Sequence, residues 1–235
     1  MTTRRTLSFL ALLGAGALAL AGCASAATPE PTETAGAGAG IDAPAWEVDA
    51  AWIDGGRQIV LVTEGSSTCI PFAGDVTVEA DGTVAVTLQD AEGDVVCTRD
   101  LVPRPTLVSL PDAIEAGKEV NLVVTYGDLL AETSLEVYAG PPAEEYMPSV
   151  ALVSADQLAI LTWGSSSCAP LVQDAALDGE TVTVAFVEPP ADKVCTMDMA
   201  PRVVLAQVEG ADTATSVTLT GGGVEFATPV TVSLV

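Results

Sequence analysis

The residues with the most chemical capacity are four cysteines that recur in step, Cys69 and Cys97, then Cys168 and Cys195. They lie inside an internal duplication. The segment QIVLVTEGSSTCIP at 58–71 returns as QLAILTWGSSSCAP at 157–170, and CTRDLVPR at 97–104 returns as CTMDMAPR at 195–202. Four cysteines allow three pairings. Each copy must have been able to fold alone, so the duplication selects Cys69 with Cys97 and Cys168 with Cys195. Each bridge then closes a loop that the chain-entropy relation values at roughly 3 to 4 kcal/mol. A redox-active pair would use a Cys-x-x-Cys helix start, and the sequence has none. Histidine is absent altogether. That removes Ser-His-Asp and Cys-His catalysis and every His-ligated metal site.

Hydroxyls precede each first cysteine, as Gly65-Ser66-Ser67-Thr68 and Gly164-Ser165-Ser166-Ser167. A serine nucleophile needs a base, yet Lys118 and Lys193 are the only lysines and occupy non-equivalent positions. The segments also lack the Gly-x-Ser-x-Gly elbow, so the preferred reading is a turn that bonds its own backbone and positions the cysteine. After each second cysteine, Asp100 with Arg104 recurs as Asp198 with Arg202. The preferred reading is a structural ion pair in each repeat, with a ligand clamp built on the arginines as the alternative. Asp90, Glu92 and Asp94 alternate in one loop and offer a weak calcium site, against which stands a solvated hairpin turn. Met197 and Met199 resemble a minimal copper(I) motif, but the first repeat has Arg99 and Leu101 there, which favours simple packing. No metal or other cofactor is expected.

These residues follow a distinctive leader. Arg4 and Arg5 precede an apolar run from Leu7 to Leu20, which is too short to span a bilayer and has the form of an export signal. The run ends in Leu20-Ala21-Gly22-Cys23, which resembles the lipobox of bacterial lipoproteins. That resemblance implies cleavage before Cys23 and acylation of its thiol with diacylglycerol, a two-chain anchor of the stable kind. It also leaves the other four cysteines even in number. The expected location is the outer face of the cell membrane, an oxidising place suited to disulfides.

Residues 1–22 are thus read as signal peptide, and 23–45 as the lipidated cysteine with a flexible Pro, Gly, Ala and Thr tether. The first repeat covers 46–139, a short acidic linker 140–145, and the second repeat 146–235. Short β-branched runs recur at 59–63, 76–79, 83–88, 106–110, 120–125 and 134–138, with counterparts at 158–163, 181–187, 203–208, 216–220 and 230–235. Asp81-Gly82, Glu92-Gly93, Asp178-Gly179 and Gly221-Gly222-Gly223 supply turns between them. The expected fold is all-β, with two tandem homologous sandwich-like domains of about 90 residues, each holding one disulfide. Immunoglobulin-like domains space their cysteines more widely, so the topology stays open, as does any packing between the repeats.

Charge narrows the partners. Thirty-two Asp and Glu face eight Lys and Arg, a formal charge of −24. Such a surface repels phosphate backbones, which excludes nucleic acid, and favours basic partners. The leading expectation is a non-enzymatic, lipid-anchored envelope protein that meets membrane lipid through Cys23 and binds an envelope protein or other envelope component. The alternatives are an accessory solute-binding protein of a transporter and a hydrolase that uses carboxylates alone.

Overall fold

The computed structural model describes residues 46–234. The leader, Cys23 and the tether lie outside them. The first repeat contains β1 (Asp49–Ile53), β2 (Gln58–Gly65), β3 (Phe72–Val78), β4 (Val84–Gln89), β5 (Val102–Ser109), β6 (Val120–Tyr126) and β7 (Leu129–Leu135). The second repeats the series as β8 (Ser149–Ser154), β9 (Gln157–Gly164), β10 (Val172–Asp178), β11 (Thr181–Phe186), β12 (Ala200–Gln207), β13 (Ser216–Gly221) and β14 (Phe226–Ser233). Each repeat is a two-sheet sandwich. A three-stranded sheet, β1-β2-β5 or β8-β9-β12, faces a four-stranded one, β3-β4-β6-β7 or β10-β11-β13-β14. Pairing is antiparallel except for β4 with β6 and β11 with β13, which are parallel because the intervening strand crosses to the other sheet. Both disulfides have the pairing that the duplication selects, Cys69–Cys97 and Cys168–Cys195.

The sandwich interiors are aliphatic. Ile59 and Leu61 of β2 meet Val84, Val86, Leu122 and Val124 in the first repeat. Leu158 and Ile160 of β9 meet Val182, Val184, Phe186, Val217 and Leu219 in the second. Burying each such side chain is worth about 1.5–3 kcal/mol. A third core joins the repeats, since Ala51, Ile53, Val60 and Val62 pack with Ala151, Ala159 and Leu161. The two three-stranded sheets therefore lie face to face, β1 against β8 and β5 against β12. This explains why Ile59–Val62 and Leu158–Leu161 are unbroken apolar runs. A strand buried on both faces has no reason to alternate.

The strands that the sequence displays poorly are mostly at sheet edges. β1, β8 and β10 are not among the runs read above, and β7 lies at 129–135 instead of 134–138. Edge strands are paired on one side only, and these carry few β-branched residues. β3 and β10 are further masked by irregular registers between Ala73 and Val76 and between Val172 and Asp174. The junction is anchored as well as short. The Trp52 indole N–H donates to the Glu136 carbonyl at 2.7 Å, and the Tyr138 hydroxyl donates to the Pro141 carbonyl at 2.9 Å.

Candidate functional site

The chemistry-bearing residues converge at one end of each sandwich, where the disulfide ties the β2–β3 loop to the β4–β5 loop. The local sequence explains the geometry. The Cys69 amide donates to the Ser66 carbonyl and the Cys168 amide to the Ser165 carbonyl, so both Gly-Ser-Ser segments form the turn expected of them. Asp100 fastens that turn to the segment after Cys97 by accepting from the Ser67 amide at 3.1 Å and from the Thr98 hydroxyl. Asp198 repeats the arrangement with the Ser166 amide, also at 3.1 Å, and Thr196.

Neither aspartate meets the arginine four residues on. Arg104 donates instead to the Cys69 carbonyl at 2.6 Å and to the Thr63 hydroxyl and Glu64 carbonyl, both at 3.3 Å. Arg202 donates to the Cys168 and Trp163 carbonyls, each at 3.1 Å, and forms an ion pair with Glu225. The expected pairing of Asp100 with Arg104 and of Asp198 with Arg202 is thus corrected. Residues four apart are neighbours on a helix, but on an extended chain they stand roughly 13 Å apart. The arginines sit inside β5 and β12 and point between the sheets, 5% and 7% exposed, while the aspartates lie in the open loops before those strands. Each guanidinium rests against a glycine. A Cβ on Gly65 would come within 2.3 Å of the Arg104 guanidinium carbon, and one on Gly164 within 2.9 Å of that of Arg202. Glycine at these two positions is required by the close approach.

Hydrogen bonds hold both aspartates at a pKa of about 2, the Ser67 hydroxyl contributing most at Asp100 and the Thr196 hydroxyl most at Asp198. Because their folded values lie below the unfolded carboxylate value of about 3.9, their contribution is present above that pH and is lost as pH falls towards 2. In thermal melts, Asp100→Asn with Asp198→Asn should lower the midpoint at pH 6. The gap from wild type should close by pH 2, and an equal gap at both pH values would refute this assignment.

The other candidates separate. Asp90 accepts from the Tyr126 hydroxyl, and among the described residues no three acidic side chains converge to hold a metal ion, at Asp90, Glu92 and Asp94 or elsewhere. Met197 and Met199 are exposed, and the neighbouring Cys195 is bonded to Cys168.

Two features of the site are not visible in any motif. First, apolar side chains stand in water around each disulfide at equivalent positions: Phe72 and Leu171, Val96 and Val194, Leu101 and Met199. Val96 and Val194 are 90% and 91% exposed. The available signal is an apolar residue kept beside a cysteine in both copies of an otherwise polar loop. Second, the end of the second sandwich carries a cavity of about 610 Å³ that is open to solvent. Its walls include Trp163, Leu171, Glu188, Pro189, Arg202 and Glu225. The Nε atoms of Arg104 and Arg202 are both buried without a hydrogen-bond partner, so this trait belongs to both repeats. No protein-family model matches this chain, and neither does any curated protein or solved structure.

Proposed function

We propose that this chain is a non-enzymatic lipoprotein of the bacterial cell envelope, held at the outer face of the membrane by acylated Cys23, whose disulfide ends bind an envelope protein. The observation that carries the reading is the duplicated set of exposed apolar side chains. Water-facing Val96, Leu101, Val194 and Met199 contribute little to the cores described above, and two disulfides hold their loops in place. Apolar side chains presented together on a stiff frame suit partner contact. The chain's formal charge of −24 favours a partner with basic groups around its own apolar contact. The Leu-Ala-Gly-Cys ending of the leader supports the anchor, and the disulfides agree with an oxidising location.

The test is proximity crosslinking on intact cells, comparing wild type with a quadruple variant carrying Val96→Ser, Leu101→Ser, Val194→Ser and Met199→Ser. Wild type should capture one envelope protein reproducibly. The variant should fold and reach the surface, yet lose at least tenfold in captured partner. Equal capture by both would overturn the surface assignment, and a chain recovered without lipid on Cys23 would overturn the anchor.

A further inference from the structure

The two disulfide ends are held by the same bonds. The Ser66 and Thr98 hydroxyls meet at 2.8 Å, the Asp100 carboxylate accepts from the Ser67 amide at 3.1 Å, and the Thr98 amide donates to the Thr68 hydroxyl at 3.0 Å. Ser165 with Thr196, Asp198 with Ser166, and Thr196 with Ser167 repeat these contacts at 2.8, 3.1 and 3.0 Å. On these matched frames stand Val96 and Val194, each just before its cysteine, with Leu101 and Met199 at equivalent places after it, all exposed. The ends also point apart. β1 runs away from the first disulfide end, since Asp49 pairs with Val62 near the start of the cysteine loop and Ile53 with Gln58 at the far end. The Asp54 amide, just past Ile53, donates to the Ser149 hydroxyl at 3.0 Å. Ser149 opens β8 and pairs with Leu161, in the half of β9 that leads on to Gly164 and Cys168. The end of β1 remote from the first disulfide therefore meets the end of β8 nearer the second. Packed face to face in this way, β1 on β8 and β5 on β12, the three-stranded sheets run in opposite senses and carry the disulfide ends away from each other.

We infer that the chain is divalent, each disulfide end holding one copy of the same partner, a protein that presents an apolar contact ringed by Lys or Arg. This rests on the partner reading above and adds to it the number of copies and their arrangement. Frames that agree bond for bond display equivalent apolar side chains, so they select the same surface on a partner. Ends that point apart close on two separate copies of it. The charge is alike at both: residues 90–101 carry four carboxylates against Arg99, and residues 188–199 carry three against Lys193, so each apolar set is bordered by acids that suit a basic rim. The core shared by the repeats fixes one end relative to the other. A partner that is itself oligomeric or arrayed then gains affinity from the second contact, because the first supplies it at high effective concentration.

The probe is a photo-crosslinking side chain, introduced as Val96→p-benzoylphenylalanine, as Val194→p-benzoylphenylalanine, or as both together, in the full lipid-anchored chain on intact cells. Both positions are exposed and lie outside the cores, so the substitutions leave the fold in place. Irradiation should capture the same protein from either position, through the same peptide segment of that protein by mass spectrometry. The doubly substituted chain should yield adducts of one and of two partner copies. Val96→Ser with Leu101→Ser should leave capture from position 194 within about twofold, because separated sites act independently. The same side chain at Val78, at the end of β3 away from the disulfide, should capture at least about tenfold less, since binding energy concentrates in few contacts. Different proteins captured from the two positions, capture from one position alone, or a doubly substituted chain that never carries more than one copy would overturn the inference and leave the partner reading standing. Capture from neither position, with the quadruple serine variant still losing its partner, would likewise overturn divalency alone. Capture from neither, with the serine variant unchanged, would overturn both.

Discussion

Leu161→Ala should destabilise the protein by about 2–5 kcal/mol, as much as Leu219→Ala, although Leu219 sits deep in one sandwich and Leu161 faces the neighbouring repeat. Both leucines are fully buried. Truncation removes the same transfer free energy from each and leaves a cavity that close packing can only partly collapse. The expectation depends on the face shared by the three-stranded sheets being as dry and tightly filled as a domain core. Guanidinium unfolding of the two variants checks it. Similar midpoint losses within a single transition would show that the repeats unfold together. A loss under about 1 kcal/mol for Leu161→Ala, beside a full loss for Leu219→Ala, would mean that the repeats part easily and the shared face adds little.

Replacing Cys168 and Cys195 together by Ala should cost roughly 3 to 4 kcal/mol, because the bridge closes a separation of 27 residues. The structure says where that loss falls. Between β11 and β12, residues 187–199 contain no strand and most are exposed, so the disulfide and the Ser165–Thr196 and Ser166–Asp198 hydrogen bonds are their chief tether. Amide exchange in this segment should accelerate by orders of magnitude while β9, β11 and β13 stay protected. Exchange that rises uniformly through the second repeat would instead make the bridge a requirement of the whole sandwich.

Much of the architecture was legible in the sequence, for physical reasons that differ by element. The cysteine pairs followed from the duplication, because two copies that each fold must each close their own bridge. The central strands stood out as β-branched runs, whereas β1, β8 and β10, at sheet edges, carry few β-branched residues and so do not announce themselves. The site was harder. Asp100 and Arg104 attract attention by spacing alone, yet an extended chain sends one into an exposed turn and the other between the sheets. The cavity gathers Leu171, Glu188 and Arg202 from three separate segments, a proximity created by strand crossing between sheets. The three consecutive glycines at 221–223 read as a turn, and nothing in that reading shows that Gly222 and Gly223 line the cavity.

The face shared by the repeats also suggests how the molecule arose. Ala51, Ile53, Val60 and Val62 from one copy meet Ala151, Ala159 and Leu161 from the other, so equivalent surfaces serve both sides. A surface complementary to its own duplicate is what closes a two-fold homodimer. An ancestor with one repeat would have had to find a second molecule to cover that face, at a stability set by its concentration. Joining the copies through residues 140–145 makes the encounter intramolecular, so assembly no longer depends on how much protein is present. It also released the two ends from identity. Tyr126 lies over Arg104 in one copy while Glu225 pairs with Arg202 in the other, a difference that a homodimer of identical chains would not hold.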